Sequence, residues 1–302
     1  MPCFRPVTAW YAAEKNASGK RRLVFTASGG FGLPLKIACG GCLGCRLERS
    51  RQWALRAVHE AQLHEANSFL TLTYAPEHLP ADGCVNRRDV QLFLKRLRRA
   101  LAPVRLRYLL CGEYGDKLSR PHYHVLLFGW DFLLDRRIYK RTEAGDLYSS
   151  PTLDAAWGLG LCTIGAFTFE SAAYVARYCM KKVNGPLAES HYERVDADTG
   201  ELCRVTPEFF AMSLKPGIGS EWFDRFATDV YPDDFCVQKG KKLAPPRFYD
   251  KRLPADQLAD IKSARKARAG KFARHNTPRR LRDRETVKAA QIKTLKRNLH
   301  DL

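Results

Sequence analysis

The 302-residue sequence predicts an α+β protein in which helices cover one face of an antiparallel sheet. Three observations carry that expectation. Helical and strand periodicities alternate in the order helix–strand–helix–strand–strand–strand–helix. Two neighbouring strands flank the short turn-rich loop YGDKLSRP, as in a hairpin. No internal repeat appears.

Each element has its own local reason. Residues 46–67 place Leu47, Trp53, Ala54, Ala57, Val58 and Ala61 at helical spacing, an amphipathic helix. SFLTLTY (68–74) alternates as a strand, with Thr71 and Thr73 on the face opposite Leu70 and Leu72. Residues 86–101 form a helix capped by Asn86, with Val90, Phe93, Leu94, Leu97 and Leu101 as its buried stripe. Segments 105–113 and 122–130 are the hairpin strands, and 160–167 is a further strand. Residues 168–185 make a helix that starts at the cap Thr168 and stops at Gly185.

Charge points to the partner. Fifty-one Lys and Arg against 32 Asp and Glu give +19, which favours a polyanion. Residues 261–302 alone hold fourteen Lys/Arg and three Asp/Glu, +11 of that total. This stretch reads as a solvated basic tail of two helical pieces broken at Asn276-Thr277-Pro278, with Thr277 a cap and Pro278 the first helical residue. Its expected role is salt-sensitive, sequence-independent attraction to phosphates, with Arg279 and Arg280 as candidate contacts. No apolar run approaches the ~20 residues of a membrane span, and the N-terminus lacks a signal-peptide pattern, so the expected location is the cytoplasm. Ten cysteines there are expected to be thiols or metal ligands, not disulfides. The organisation read from the sequence is a cysteine-rich segment (1–45), a central domain (46–253) and the basic helical tail (254–302).

RPHYHVLLFGW (120–130) holds the chemistry. In a strand His122 and His124 share a face, about 7 Å apart, and either bind one cation or are simply solvated strand-end histidines. Pairing of the hairpin brings Glu113 opposite them, making a three-ligand Glu–His–His site suited to Mg²⁺ or Mn²⁺. The alternative for Glu113 is an ion pair with Arg120 or Lys117. In YVARYCMKK, Tyr174 and Tyr178 lie one helical turn apart, with Lys182 continuing their face and Lys181 adjoining it. Tyrosines at this spacing are commonly packing residues. Beside two cations they also suit attack on a phosphodiester, giving a phosphotyrosine ester.

These motifs resemble a family. RPHYHVLLFG is similar to the His-hydrophobic-His motif of HUH endonucleases, YVARYCMKK to the two-tyrosine motif of their rolling-circle initiators, and FLTLTY to their first strand motif. CGGCLGCRLERSRQWALRAVHEA, CGEYGDKLSRPHYH, FTFESAAYVARYCMKKV, KPGIGSEWF and PPRFYDK resemble, in order, the replication initiators of gokushoviruses of the Microviridae. The resemblance implies a ferredoxin- or RRM-like sheet and nicking of replicative-form DNA in a host bacterium. It also implies a 5′-phosphotyrosine link, a 3′-OH primer, and later rejoining of the ends. It casts His122 and His124 as metal ligands with Glu113 the third, Tyr174 and Tyr178 as nucleophiles, and Lys181 as the cation of the tyrosine-x-x-lysine motif. The alternatives are a relaxase or transposase of the same chemistry, or a non-catalytic zinc-containing nucleic-acid-binding regulator.

Further signals remain. Cys39, Cys42 and Cys45, with two residues between successive cysteines, and Cys3 as a fourth, suit tetrahedral zinc, iron–sulfur ligation or a set of reduced thiols. HEAQLH (59–64) spaces its histidines five apart, diverging by about 140° on a helix, and reads as a solvated face, not a zinc motif. No G-x-x-x-x-G-K-[ST] occurs, so no nucleotide cofactor is expected, and a host helicase must unwind the DNA that a host polymerase extends. In 207–253, LKPGIGSEW reads as a loop entering a helix capped by Ser220, with Trp222, Phe223 and Phe226 as core, and Lys215 as a candidate phosphate contact.

Overall fold

The computed structural model describes residues 3–115, 118–143, 145–178, 187–195 and 200–294. Strands β1 (Val7–Lys15), β2 (Arg21–Val24) and β3 (Gly30–Ile37) precede the helix α1 (Leu43–Ala61). There follow β4 (Asn67–Thr73), α2 (Arg87–Ala100), the hairpin β5 (Arg107–Tyr114) and β6 (Pro121–Phe128), and a second hairpin, β7 (Arg137–Thr142) and β8 (Gly145–Ser149). Next come α3 (Pro151–Trp157), β9 (Cys162–Ala166) and α4 (Phe169–Tyr178). Short elements α5 (Leu187–Tyr192), β10 (Glu193–Val195), β11 (Leu202–Arg204) and β12 (Phe209–Met212) lead to α6 (Ser220–Val230). After β13 (Cys236–Gln238), β14 (Lys241–Leu243) and α7 (Arg247–Asp250), the basic end forms α8 (Ala255–Lys271) and α9 (Pro278–Thr294). The expected Gly185 stop lies outside the described residues.

The chain divides into two compact units, one of Ser50–Pro254 and one joining the segment up to Arg49 with that from Ala255. In the larger unit a seven-stranded sheet runs β12-β5-β6-β4-β9-β8-β7, every pairing antiparallel. Its centre is the β-α-β-β-α-β unit β4-α2-β5-β6-α3-β9, with spatial order β9-β4-β6-β5, the ferredoxin-like arrangement. Val90, Phe93 and Leu97 of α2 and Trp157 of α3 meet Leu70, Leu72, Tyr123 and Val125 on one face. Helical cover extends to the other face, where Ala54 and Ala57 of α1 and Ala172, Tyr174 and Val175 of α4 meet Phe69, Leu109, Leu126 and Phe128. The reason is in the strands: LLC in β5 and VLLF in β6 are continuous apolar runs, the pattern of strands covered on both faces.

Local capping follows the sequence at two helices. The Asn86 side chain accepts from Arg88 N–H at 2.8 Å, and Thr168 Oγ1 accepts from Ser171 N–H at 3.0 Å while Ser171 Oγ accepts from Thr168 N–H at 2.8 Å. The third helix start differs. Ser220 is inside α6 and the cap position belongs to Gly219, whose φ of 75° suits glycine and whose N–H donates to Glu60 Oε2 at 2.6 Å. Phe223 is core, whereas Phe226 on the same helix is exposed.

HEAQLH is not a solvated face. His59 and Glu60 are buried because α1 is overlaid on that side by α6 and α7. The His59 ring stacks on Trp222 at 3.5 Å, its Nδ1 bonds the Tyr249 hydroxyl at 2.8 Å, and burial pushes the imidazole down to about 3, so it stays neutral. Glu60 ion-pairs with Arg107, whose Nη2 also donates to the Pro216 carbonyl at 2.7 Å. Burial acts to raise the Glu60 carboxyl, but the His64 and Gly219 hydrogen bonds and the Arg107 charge outweigh it and hold the carboxyl low. A depressed folded-state value stabilises above the unfolded carboxyl range, near pH 4.3, and that contribution is lost as pH falls through the folded value. Arg107→Ala leaves the buried Glu60 carboxylate without its cation, held only by Gly219 and His64, and we expect a loss of about 3–5 kcal/mol in urea unfolding at pH 7. A loss below about 1 kcal/mol there would show the pair to be dispensable.

In the smaller unit, β2-β1-β3 form an antiparallel sheet. The basic end is mostly exposed, as a solvated helical tail should be, but it is also anchored: Ile261 of α8 and Leu281 of α9 are buried, and Arg5 Nε donates to Glu285 Oε2 at 2.8 Å. Those two apolar positions, each isolated among charged neighbours, are why composition alone did not reveal the packing. The break lies where expected, with Pro278 first in α9 and Thr277 Oγ1 accepting from Arg280 N–H at 3.4 Å.

Candidate active site

The β5–β6 register pairs Glu113 with His122 and Cys111 with His124, while β4 on the other side sets Thr73 against His122 and Thr71 against His124. Strand alternation therefore aims Glu113, His122 and His124 at one point. His122 Nε2 lies 3.2 Å and His124 Nε2 3.0 Å from Glu113 Oε1. The opposite ring nitrogens are engaged too: His122 Nδ1 is 3.1 Å from the Arg120 carbonyl oxygen and His124 Nδ1 is 3.1 Å from Thr71 Oγ1. The Arg120 carbonyl can only accept, so His122 donates its Nδ1–H outward and, when neutral, turns its Nε2 lone pair inward, whereas the Thr71 hydroxyl can serve His124 in either tautomer. Imidazole and carboxylate lone pairs converging at such distances repel one another, so a cation or ring protons must lie among these three groups.

The carboxyl responds to this setting. Burial acts to raise Glu113, but the two imidazoles more than offset it and hold the carboxyl below its usual range. Glu113 and His124 are almost fully buried, whereas His122 keeps 19% of its side-chain exposure, so the cluster opens on the His122 side. Arg120, the other partner considered for Glu113, donates Nη2 to the Tyr74 carbonyl at 3.0 Å. Lys117 lies outside the described residues.

Helix α4 brings a tyrosine to this cluster. The Tyr174 ring stands edge-on to His124 with centroids 5.0 Å apart, and His124 stacks on Phe69 at 5.3 Å. The Arg177 guanidinium lies 5.7 Å from the Tyr174 ring centre. Ser50 Oγ donates to the Ala173 carbonyl at 3.3 Å, tying α1 to α4. Tyr178 ends α4 one turn beyond Tyr174; its side chain, Lys181 and Lys182 lie outside the described residues. Phe69 and Arg177 carry no site signal in the sequence, whereas Thr71, which alternation sets with Thr73 on the polar face of its strand, is brought against His124 by the β4–β6 register.

Other candidates sit elsewhere. Lys215 is exposed in the loop after β12, whose remainder is fixed by Arg56, with Nε and Nη2 2.9 and 2.8 Å from the Ile218 carbonyl. Arg279 and Arg280 are exposed on the first turn of α9, in the smaller unit. That unit also gathers Cys3, Cys39, Cys42 and Cys45, with all four sulfurs within 4.8 Å of one another. Burial acts to raise the Cys42 thiol, but N–H groups of Cys45, Phe4 and Arg5 outweigh it and bring the thiol down to about 6. Among the described residues, no helix is long and apolar enough to cross a membrane.

Comparison with known proteins places the chain among phage replication proteins. The family described as Replication-associated protein ORF2/G2P matches residues 67–183, from the first strand of the central sheet through the tyrosine helix. Replication-associated protein VP4 of Bdellovibrio phage phiMH2K is 34% identical over 260 residues, 82% of this chain and 76% of that protein. Replication-associated protein ORF2 of Spiroplasma virus 4 is 31% identical over 230 residues, 72% of this chain and 67% of that protein. Replication-associated protein ORF4 of Chlamydia phage 1 is 35% identical over 159 residues, covering 50% and 39%. No solved structure matches the chain. The chain belongs to the phage replication-associated protein family and is a replication initiator of the gokushovirus type.

Proposed function

We propose that this initiator nicks DNA at a phage origin by transesterification through tyrosine, and rejoins the ends after a round of rolling-circle synthesis. The observation that carries this reading is the convergence of Glu113, His122 and His124 beside Tyr174. One carboxylate oxygen and two inward imidazole nitrogens form a mixed N/O donor set that fits Mg²⁺ or Mn²⁺, the imidazoles favouring Mn²⁺. Such an ion, when bound, polarises the scissile phosphate.

The protein's part is positioning and nucleophilic attack. A phenolate oxygen of Tyr174 or Tyr178 attacks phosphorus, forming the tyrosine O–P bond as the bond to the 3′-oxygen breaks. The phenol proton goes to solvent, and the leaving oxygen takes up a proton to become the 3′-OH that a host polymerase extends. The ester bond is conserved in the 5′-phosphotyrosine, so a second attack can rejoin the ends. Lys181 and Lys182 supply positive charge for the phosphate, and Arg177 adds a cation near the Tyr174 ring. A host helicase opens the duplex, and the host bacterial cytoplasm is where the reaction takes place. Incubation with a labelled single-stranded origin oligonucleotide and Mn²⁺ should give a denaturation-resistant protein–DNA adduct that EDTA prevents. Binding without any adduct would favour the non-catalytic DNA-binding reading.

Exposed cations outside this centre add affinity without chemistry. Removing Arg279 and Arg280 together should lower the slope of log affinity against log salt by about 1–2 on single-stranded DNA, at roughly 0.7 per lost phosphate contact. An unchanged slope would remove them from the interface.

A further inference from the structure

The four-cysteine cluster lies outside the proposed nuclease centre and has no part in its chemistry. Its geometry is that of a single tetrahedral ion. Four sulfurs about 2.3 Å from one centre stand roughly 3.8 Å apart. Cys3 Sγ is 3.7 Å from Cys39 Sγ and 3.9 Å from Cys42 Sγ. Backbone amides point at the sulfurs: Cys39 N–H to Cys3 at 3.4 Å, Phe4 N–H to Cys42 at 3.3 Å, and Cys42 N–H to Cys39 at 3.3 Å. Amide donors of this kind stabilise thiolates, the ligand form. An all-sulfur donor set selects zinc over Mg²⁺ or Mn²⁺, and sulfurs this close enclose one ion, not a multi-iron cluster.

The ion's position in the chain gives it a second consequence. Three ligands lie at the turn into α1, and the fourth is thirty-six residues earlier, so the ion closes the whole β1–β3 segment into a loop. Cys3 is two residues from Arg5, which reaches Glu285 of α9. An exposed ion pair contributes little by itself, but one anchored by a metal knot sets where the helix lies. The unit so formed, residues 1–49 with 255–296, carries 21 Lys and Arg against six Asp and Glu, a net +15 of the chain's +19.

We propose that Cys3, Cys39, Cys42 and Cys45 bind one structural zinc ion, and that this ion folds the two ends of the chain into a single basic module that grips DNA phosphates. The DNA part rests on the reading of the chain as an origin nuclease. The zinc part does not.

The test uses the full-length protein. Elemental analysis after exhaustive dialysis should find about one zinc per chain. Cys42→Ser should lose it, and Cys203→Ser, an exposed thiol outside the cluster, should keep it. Zinc release by a thiol-binding mercurial should raise amide hydrogen exchange in both 3–49 and 255–294 while 67–166 stays protected. It should also flatten the salt dependence of single-stranded DNA binding. Less than a tenth of an equivalent of zinc, or iron in its place, overturns the assignment. Zinc whose release leaves exchange in 255–294 unchanged overturns the joint module. Loss of protection with an unaltered salt slope overturns its role in DNA binding. Absence of nicking activity alongside the expected zinc and exchange results would count against the nuclease reading, not against the zinc.

Discussion

His124→Ala should reduce origin nicking by at least about a hundredfold while leaving DNA affinity within about twofold. Loss of a residue that merely orients a metal ligand typically costs 10–100-fold, so loss of a ligand should exceed that. His124 is the ligand to remove because it is held from three sides: Glu113 at 3.0 Å, Thr71 at 3.1 Å and the Phe69 ring at 5.3 Å. Affinity should persist because most of the net positive charge lies in the other unit. The variant also leaves the Glu113 carboxyl buried with one imidazole fewer, so its fold must be checked by thermal melting. His122→Ala, at the more exposed position, provides the same chemical loss with less damage to packing. Gel assays with Mn²⁺ or EDTA read the result. Full activity in either variant, resistant to EDTA, would remove the metal from the account.

The second large effect concerns the two phenols. Tyr174→Phe keeps the aromatic ring that packs edge-on to His124 and deletes only the hydroxyl, so the nucleophile is removed with the ring packing retained. Each single Phe variant should retain nicking but lose the linked second transfer, because the remaining tyrosine is consumed in the first covalent bond. The Tyr174→Phe/Tyr178→Phe double variant should fall by at least about 10³-fold, as when a nucleophile is removed elsewhere. One helical turn, about 6 Å over four residues, separates the positions, so a small shift of α4 presents either to the same phosphate. Nearby cations matter because an unperturbed phenol, near pKa 10, is protonated at neutral pH. Second transfer intact in one single variant would reduce that position to a packing aromatic.

Much of this site was legible before the structure because it depends on local rules. Alternation along PHYHVLLF and the length of the hairpin loop together place Glu113 against His122, and neither depends on distant chain. Tyr174 needed one tertiary fact: α4 covers the face of the sheet that the histidines share. Only the continuous apolar runs in β5 and β6 hinted at that second cover. Less legible were contacts whose partners lie far along the chain. His59 and Glu60 read as solvent-facing because Trp222, Tyr249, Gly219 and Arg107 are 47 to 190 residues away. Gly219 took the cap position from Ser220 for the same reason, since its N–H already had the Glu60 carboxylate. In 255–294 the charge was plain, but its folding with the N-terminal segment rests on long-range contacts such as Arg5–Glu285.

The most direct measurement is peptide mapping by mass spectrometry of the covalent adduct trapped on a single-stranded origin oligonucleotide. The expected result is a nucleotide 5′-phosphate attached through Tyr174 or Tyr178 only, formed with Mn²⁺ and absent with EDTA or in His124→Ala. Attachment at any other residue, or an adduct that forms as readily without metal, would contradict it.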